Sequence, residues 1–338
     1  MGGGDSMASK RNSVTAGLLA LALCPAPALA AEDAKEKGGF SILFENDLFY
    51  KADHDYTNGT ELSYTSAPDE TPDWALEAAR LFPFFTDKGD VRTRYAVGQA
   101  MFTPNDITLV NPPLNDRPYA GFFFGAVGVV GDDGSHLDQV QGTLGVIGPM
   151  AAGQEIQKFI HASVQGRKPR GWHYQLRDEP GLVIQYERTW KWVKHAPFLG
   201  LAVDAEPHFG GAIGNVWDYV NMGAMARIGF NLPNDYGPMR LQPSLPGSDY
   251  FEPTAPLGGY LFAGIEGRAI ARNLFLDGNS FERSRSVSKL NLVGDLVLGA
   301  AVTFDWARLA FTHVIRTREY KTQKGDDQFG AIDLTLRF

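Results

Sequence analysis

Apolar and polar side chains alternate with a period of two along most of this chain, in segments of about ten residues, the length of a tilted membrane-spanning strand. Within 289–304, Leu290, Leu292, Leu296, Leu298, Ala300, Val302 and Phe304 share one face, while Lys289, Asn291, Asp295 and Thr303 take the other. Likewise Leu182, Ile184, Tyr186, Trp190 and Trp192 oppose Gln185, Glu187, Thr189 and Lys191, with the tryptophans where an interfacial girdle would hold them. Strands are predicted near 40–48, 59–67, 92–103, 121–131, 136–148, 181–192, 198–208, 217–231, 258–272, 287–304, 307–320 and 329–338. The fold class this implies is all-β, a transmembrane antiparallel β-barrel of about 12 strands.

An even strand number puts both ends of the barrel chain on the periplasmic side. In the last strand Ile332, Leu334, Leu336 and Phe338 alternate with Asp333, Thr335 and Arg337, and the chain stops on the aromatic residue. That ending resembles the signal read by outer-membrane assembly machinery, an expected partner. Counting back from it places 48–58, 104–120, 149–180, 209–216, 273–286 and 321–328 outside the cell, with short inner turns at 132–135, 193–197 and 305–306. The segment 232–257 breaks the rule: it is rich in Pro, Gly and Asp, falls on the periplasmic side and is too long for a turn. Either it is a plug or flap, or the strand count slips nearby.

One segment carries a helical period instead. Residues 150–165 follow Gly148-Pro149 and set Ile156, Phe159, Ile160 and Val164 on one side, which predicts one extracellular-loop α-helix.

The ends and the composition fix the compartment. Lys10 and Arg11 precede an apolar run over 14–23, and Ala28-Leu29-Ala30 supplies a small-x-small cleavage site, so residues 1–30 read as a signal peptide and 31–338 as the barrel domain. Of the 338 residues 44% are hydrophobic, yet no window approaches the roughly 20 uninterrupted apolar residues of a spanning helix. The single cysteine, Cys24, lies in the leader, which excludes disulfides, thiolate metal sites and cysteine nucleophiles from the mature chain. Without Asp5, Lys10 and Arg11 there remain 29 basic and 38 acidic residues, a net −9. No basic patch points to nucleic acid, and a monomer is expected.

Candidate chemistry gathers in the outer segments. Gln157 and His161, four residues apart on the predicted helix, point the same way from neighbouring turns. Imidazole is the side chain that titrates nearest neutral pH, so His161 is the best general-base candidate; taken alone it reads first as a structural or surface histidine. Glu45-Asn46-Asp47 ends the first strand, where a carboxylate beside an amide suits a hard cation or simply caps the strand. Tyr56-Thr57-Asn58-Gly59 faces that rim across a hairpin, and Thr57 is there either a turn residue or a hydrogen-bonding group. Arg117, in Asn115-Asp116-Arg117-Pro118-Tyr119-Ala120-Gly121, would hold either a phosphate or a structural carboxylate.

Taken in order, Glu45-Asn46-Asp47, Tyr56-Thr57-Asn58-Gly59, Gly98-Gln99, the 115–121 run, Val146-Ile147-Gly148-Pro149, Gly153-Gln154-Glu155-x-Gln157-x-x-x-His161 and Gly325-Asp326-Asp327 resemble the lipid A 3′-O-deacylase family over nearly the whole mature chain. The resemblance implies a twelve-stranded outer-membrane barrel that uses calcium to hydrolyse the 3′-acyloxyacyl ester of lipid A in the outer leaflet, at a site between the barrel wall and a loop helix. It makes His161 the base that activates water and Asp47, with Asn46, the calcium ligand. Asn46, Thr57 and Gln157 would position water, substrate and oxyanion. One position departs from the family: where a basic residue is expected after the third strand, Phe102-Thr103-Pro104 is followed by Asn105-Asp106-Ile107-Thr108-Leu109, and Arg117 would supply the charge toward a lipid A phosphate. Two other readings fit the residues alone. A phospholipase-like serine esterase would need a Ser–His pair, for which Ser163 stands at the wrong helical spacing from His161; a non-catalytic pore fits wet-face residues such as Glu187, Asp295 and Arg316.

Overall fold

The alternation is realised as one antiparallel ladder. A computed structural model describes residues 38–47, 55–164, 167–195 and 201–338, so the leader, Cys24 and His54 lie outside the described residues. The strands are β1 (Gly39–Asn46), β2 (Asp55–Thr65), β3 (Asp90–Thr103), β4 (Ala120–Asp132), β5 (His136–Ile147) and β6 (Glu179–Trp190). They continue with β7 (Trp192–His195), β8 (Ala202–Gly214), β9 (Trp217–Phe230), β10 (Leu257–Asn273), β11 (Leu292–Phe304), β12 (Ala307–Arg316) and β13 (Asp327–Arg337). β7 resumes β6 beyond a break at Lys191, and both pair with β8, so the two pieces fill one place in the wall. β1 pairs with β13, Ile42 opposite Leu334, and the ladder closes into a twelve-stranded barrel.

The two faces separate as the pattern requires. Leu292, Leu296, Leu298, Val302 and Phe304 of β11 are exposed on the outer wall, whereas Val293, Asp295, Val297 and Thr303 point inward and are buried. Two expectations need adjusting. β8 runs to Gly214 rather than ending near 208, and the outer connection to β9 shrinks to a tight turn at Asn215 and Val216. Gly210, Gly211 and Gly214 carry no side chains to alternate, so the ladder there outlasts its sequence signal. Helices also appear beyond the predicted one. α1 (Asp73–Arg80) lies in the periplasmic connection from β2 to β3, and α3 (Leu274–Asp277) is one turn after β10. Each is too short to show a helical period. The predicted helix is α2 (Gly153–Val164).

The segment 232–257 is a plug, the first of its two possible readings. Asn234 pairs with Glu252 at the periplasmic mouth, and nearly all residues between them are buried. From inside the barrel the plug binds the wall on many sides. Arg94 of β3 bridges Glu61 of β2 and plug Asp249, the latter at 2.5 Å. Arg308 of β12 reaches Asp235 at 2.5 Å, and Asp235 also pairs with Arg227 of β9. Arg268 and Arg316 donate to the Pro243 carbonyl at 2.8 and 3.1 Å. At the top Arg240 donates to Glu45 at 2.6 Å, one residue below Asn46. Twelve strands enclose more space than their own side chains fill. Charges lining it would be unpaired or wet, and the plug supplies the carboxylates and carbonyls that satisfy them.

Candidate functional site

Strand parity locates the candidate residues. In β1, Ser41 bonds the plug carbonyl of Asp249 and Glu45 bonds Arg240, so odd positions face the lumen and Asn46 faces outward. In β2 and β3, Leu62 and Val97 face lipid and are 40% and 43% exposed; Asn58 and Gln99, on the same faces nearer the outer rim, are only 1% and 5% exposed. Met101 and Thr103 continue the outward face of β3 and are fully buried. Something therefore covers the outside of the barrel where β1, β2 and β3 end.

That cover is α2. Gly121, outward on β4, opposes the start of the helix so closely that a Cβ there would stand 3.1 Å from the Ala151 Cβ and 3.3 Å from the Gly153 nitrogen, so any larger residue would push the helix start a few tenths of an ångström from the wall. Ile156 then packs against a cluster formed by Met101 of β3, Ile107, Tyr119 and Trp172. Three residues of helix, about 4.5 Å of rise, thus match one strand spacing of about 4.8 Å, and α2 crosses the strands. The helix thus runs from β4 across β3 toward the neighbouring strand ends and carries His161 on its last turns.

The side chains beneath are set by identifiable local devices. Between Tyr56 and Asn58 the pairing with β3 slips, so Thr57 is the extra residue of a β-bulge. The bulge turns Thr57 to the outward face, where its hydroxyl meets that of Thr103 at 2.6 Å. Asn58 donates from Nδ2 to the Glu45 carbonyl at 3.0 Å, which aims Oδ1 elsewhere; that oxygen is buried and finds no hydrogen-bond partner among the described residues. Asn46 and Asp47 are also buried. On α2, the Trp172 indole N–H donates to Gln157 Oε1 at 2.7 Å. An indole only donates, so the amide orientation is decided, and Nε2 becomes the outward donor. Nε2 is buried with no partner among the described residues. His161 Nδ1 lies 2.5 Å from the Arg167 carbonyl, which only accepts. The neutral ring therefore carries its proton on Nδ1 and presents the Nε2 lone pair.

Asn46 and Thr57 thus face outward at the ends of β1 and β2, Gln157 and His161 lie on the covering helix, and Asp47, one residue past β1, is buried. Arg117 is not among them. It is wholly buried, donates to Glu319 at 2.8 Å and lies over the Phe102 ring at 5.2 Å, with Phe102 facing the lumen. Of its two readings, the structure realises the structural carboxylate. Asn58 and Gln99 stand in the sequence motifs without an assigned role, and Trp172 stands in none of them. The signal for the first two was present: amides at lipid-facing positions of a strand are out of place unless covered.

The cluster suits a hard cation. Among the described residues no three of His, Cys, Asp and Glu converge. The oxygens that could serve a cation are the Asp47 carboxylate and amide oxygens such as the buried Asn58 Oδ1, and an all-oxygen donor set is the one calcium prefers.

A family model described as outer membrane protein LpxR matches residues 16–338. LpxR from Salmonella typhimurium shares 20% identity with this chain, covering 89% of it and all of the other chain, with a TM-score of 0.70. The β domain of the Bordetella autotransporter BrkA covers 90% of this chain and 99% of its own at 9% identity, with a TM-score of only 0.41. Among curated protein sequences none matches. With the family model spanning the whole barrel, and a solved member sharing its fold, the chain belongs to the LpxR family of outer membrane proteins.

Proposed function

We propose that this outer-membrane barrel is a lipid A 3′-O-deacylase, a carboxylic ester hydrolase acting on lipopolysaccharide from the outer leaflet. One observation carries the reading: polar residues at lipid-facing positions, at the extracellular end of the wall, are buried beneath a helix that brings a histidine and an oriented amide. A site there meets an ester of a lipid lying in the outer leaflet without removing it from the membrane. The plug argues against the pore alternative, because the lumen is occupied by paired charges from Asn234 at one end to Arg240 at the other.

His161 Nε2 takes a proton from water, whose oxygen attacks the carbonyl carbon of the 3′-linked acyl ester. The negative charge that develops on the carbonyl oxygen is met by Gln157 Nε2–H, held ready by Trp172. Collapse breaks the bond to the sugar 3′-oxygen, and His161 returns the proton to that oxygen, releasing the free acid. Thr57 and Asn46 position water and substrate. Calcium, held by Asp47 and Asn46 with neighbouring amide oxygen, would supply positive charge beside the ester.

The test is purified barrel in detergent with lipid A, read by mass spectrometry. Loss of one 3′-linked acyloxyacyl group with calcium, abolished by chelator, is the expected result; an unchanged spectrum with calcium overturns the reading.

A further inference from the structure

We propose that the opposite, periplasmic half of the outer wall carries a binding groove for one acyl chain of an inner-leaflet glycerophospholipid, walled by α1 and floored by Gly142. The groove encloses about 380 Å³ and is lined by Trp74, Ala75, Ala78 and Ala79 of α1 against Val127 and Val129 of β4, Val140, Gly142 and Leu144 of β5, and Leu182 and Ile184 of β6. By parity the valines, leucines and Ile184 face away from the lumen, so the groove is continuous with the wall that meets hydrocarbon. It is not a leftover gap in the core.

Its position selects the leaflet. α1 lies in the connection at the same end as the hairpin joining β4 to β5, the periplasmic end. Gly142 is six residues up β5 from His136, about 20 Å along the strand and about 15 Å above the rim after tilt. The groove therefore spans the lower half of an apolar band about 25 Å tall, the depth of one leaflet. Its lower rim is polar and anchored: Asp138 accepts from the Thr86 N–H at 2.7 Å, Arg188 Nε at 2.7 Å and the Tyr186 hydroxyl at 2.9 Å, holding the chain after α1 against the wall. Phe82 stacks on Tyr186 at 6.0 Å. Trp74, Leu81 and Phe84 remain more than half exposed, as expected for a helix and its exit lying in the interface.

Gly142 makes the space. A Cβ built on it meets nothing within 4 Å, whereas Val140 and Leu144, its neighbours on the same face of β5, carry side chains on either side of the gap. A void of this size beside an interfacial helix is filled in a membrane by lipid, and a single apolar tail matches a lining with almost no polar surface.

The experiment uses the full barrel in phosphatidylethanolamine vesicles that carry a photoactivatable group on the acyl chain, with crosslinks mapped by proteolysis and mass spectrometry. Crosslinks concentrated at Ala78, Gly142 and Ile184 are expected, and they should vanish in Gly142→Leu, whose side chain enters open space. Ala78→Trp fills the same groove from the helix side and should give the same loss. Resistance of the unheated protein to SDS confirms folding, and deacylation unchanged in both variants separates the groove from the proposed ester site. Crosslinks spread evenly around the wall, or a groove signal that survives both substitutions, overturn the proposal. So does preferential capture of a lipid A probe over the phospholipid.

Discussion

The hydrogen bond between Trp172 and Gln157 separates orientation from chemistry, because two substitutions break it and remove different things. Both side chains are 1% exposed, so the bond forms away from water. Gln157→Met deletes its acceptor and the Nε2 donor together; Trp172→Phe deletes the indole N–H with part of the ring's volume and leaves the amide. Each leaves one buried polar group without its partner, at a cost of about 1–3 kcal/mol, and Trp172→Phe adds the cost of a small cavity, so its urea unfolding midpoint should fall further than that of Gln157→Met. Turnover should diverge. Loss of an oxyanion donor lowers kcat by about 10²–10³. Loss of the orienting indole lets the amide occupy two nearly equivalent orientations, so about half the molecules keep the donor in place and kcat falls only about twofold. The assay is released acyl acid against time at saturating lipid A, beside the unfolding curve. Equal losses of turnover in the two variants would refute the role of Gln157 as an oriented donor, and full activity in Gln157→Met would remove it from the reaction.

Thr57→Val keeps the shape and deletes the hydroxyl that meets Thr103, so kcat should fall roughly tenfold for about 1.4 kcal/mol with the fold intact; unchanged kcat and KM would make the bulge purely structural. The purified barrel should pass no steady current in a planar bilayer, while deletion of 235–250 should open ohmic conductance. Steady current through the intact protein would contradict the plug. Burial raises the Asp235 carboxyl, but the Arg227 and Arg308 guanidiniums outweigh it and hold it below the usual carboxylate range. Its contribution is therefore complete above its unfolded value of about 3.9 and fades as pH falls through the lower folded value. Asp235→Asn should lower the urea midpoint at neutral pH and flatten its decline in acid; an acid limb identical to wild type would show that this carboxylate does not tie the plug to the wall.

Much of this was legible because a barrel writes its geometry into the sequence twice, once as alternation and once as chain direction. The lipid face of β11 and the outer placement of α2 both follow from that code. Where side chains stop alternating, the code fails: the glycines of β8 hid its upper half, and α1 is too short to show a period. The bulge at Thr57 was invisible because it shifts parity by one residue, and that shift is what turns Thr57 outward beside Thr103. Arg117 was ambiguous for a different reason. Its partner, Glu319, is 202 residues away, and a long-range ion pair leaves no local pattern. The plug was visible only as a misfit, since Pro, Gly and Asp specify irregular backbone without saying where it goes.

Lipid A extracted from outer membranes containing equal folded amounts of wild-type protein or His161→Ala shows whether ester cleavage depends on this imidazole. A lipid A population lacking the 3′-linked acyloxyacyl group is expected with the wild type and none with the variant. Deacylated lipid A at the same level with His161→Ala would place the ester-cleaving chemistry elsewhere than beneath α2.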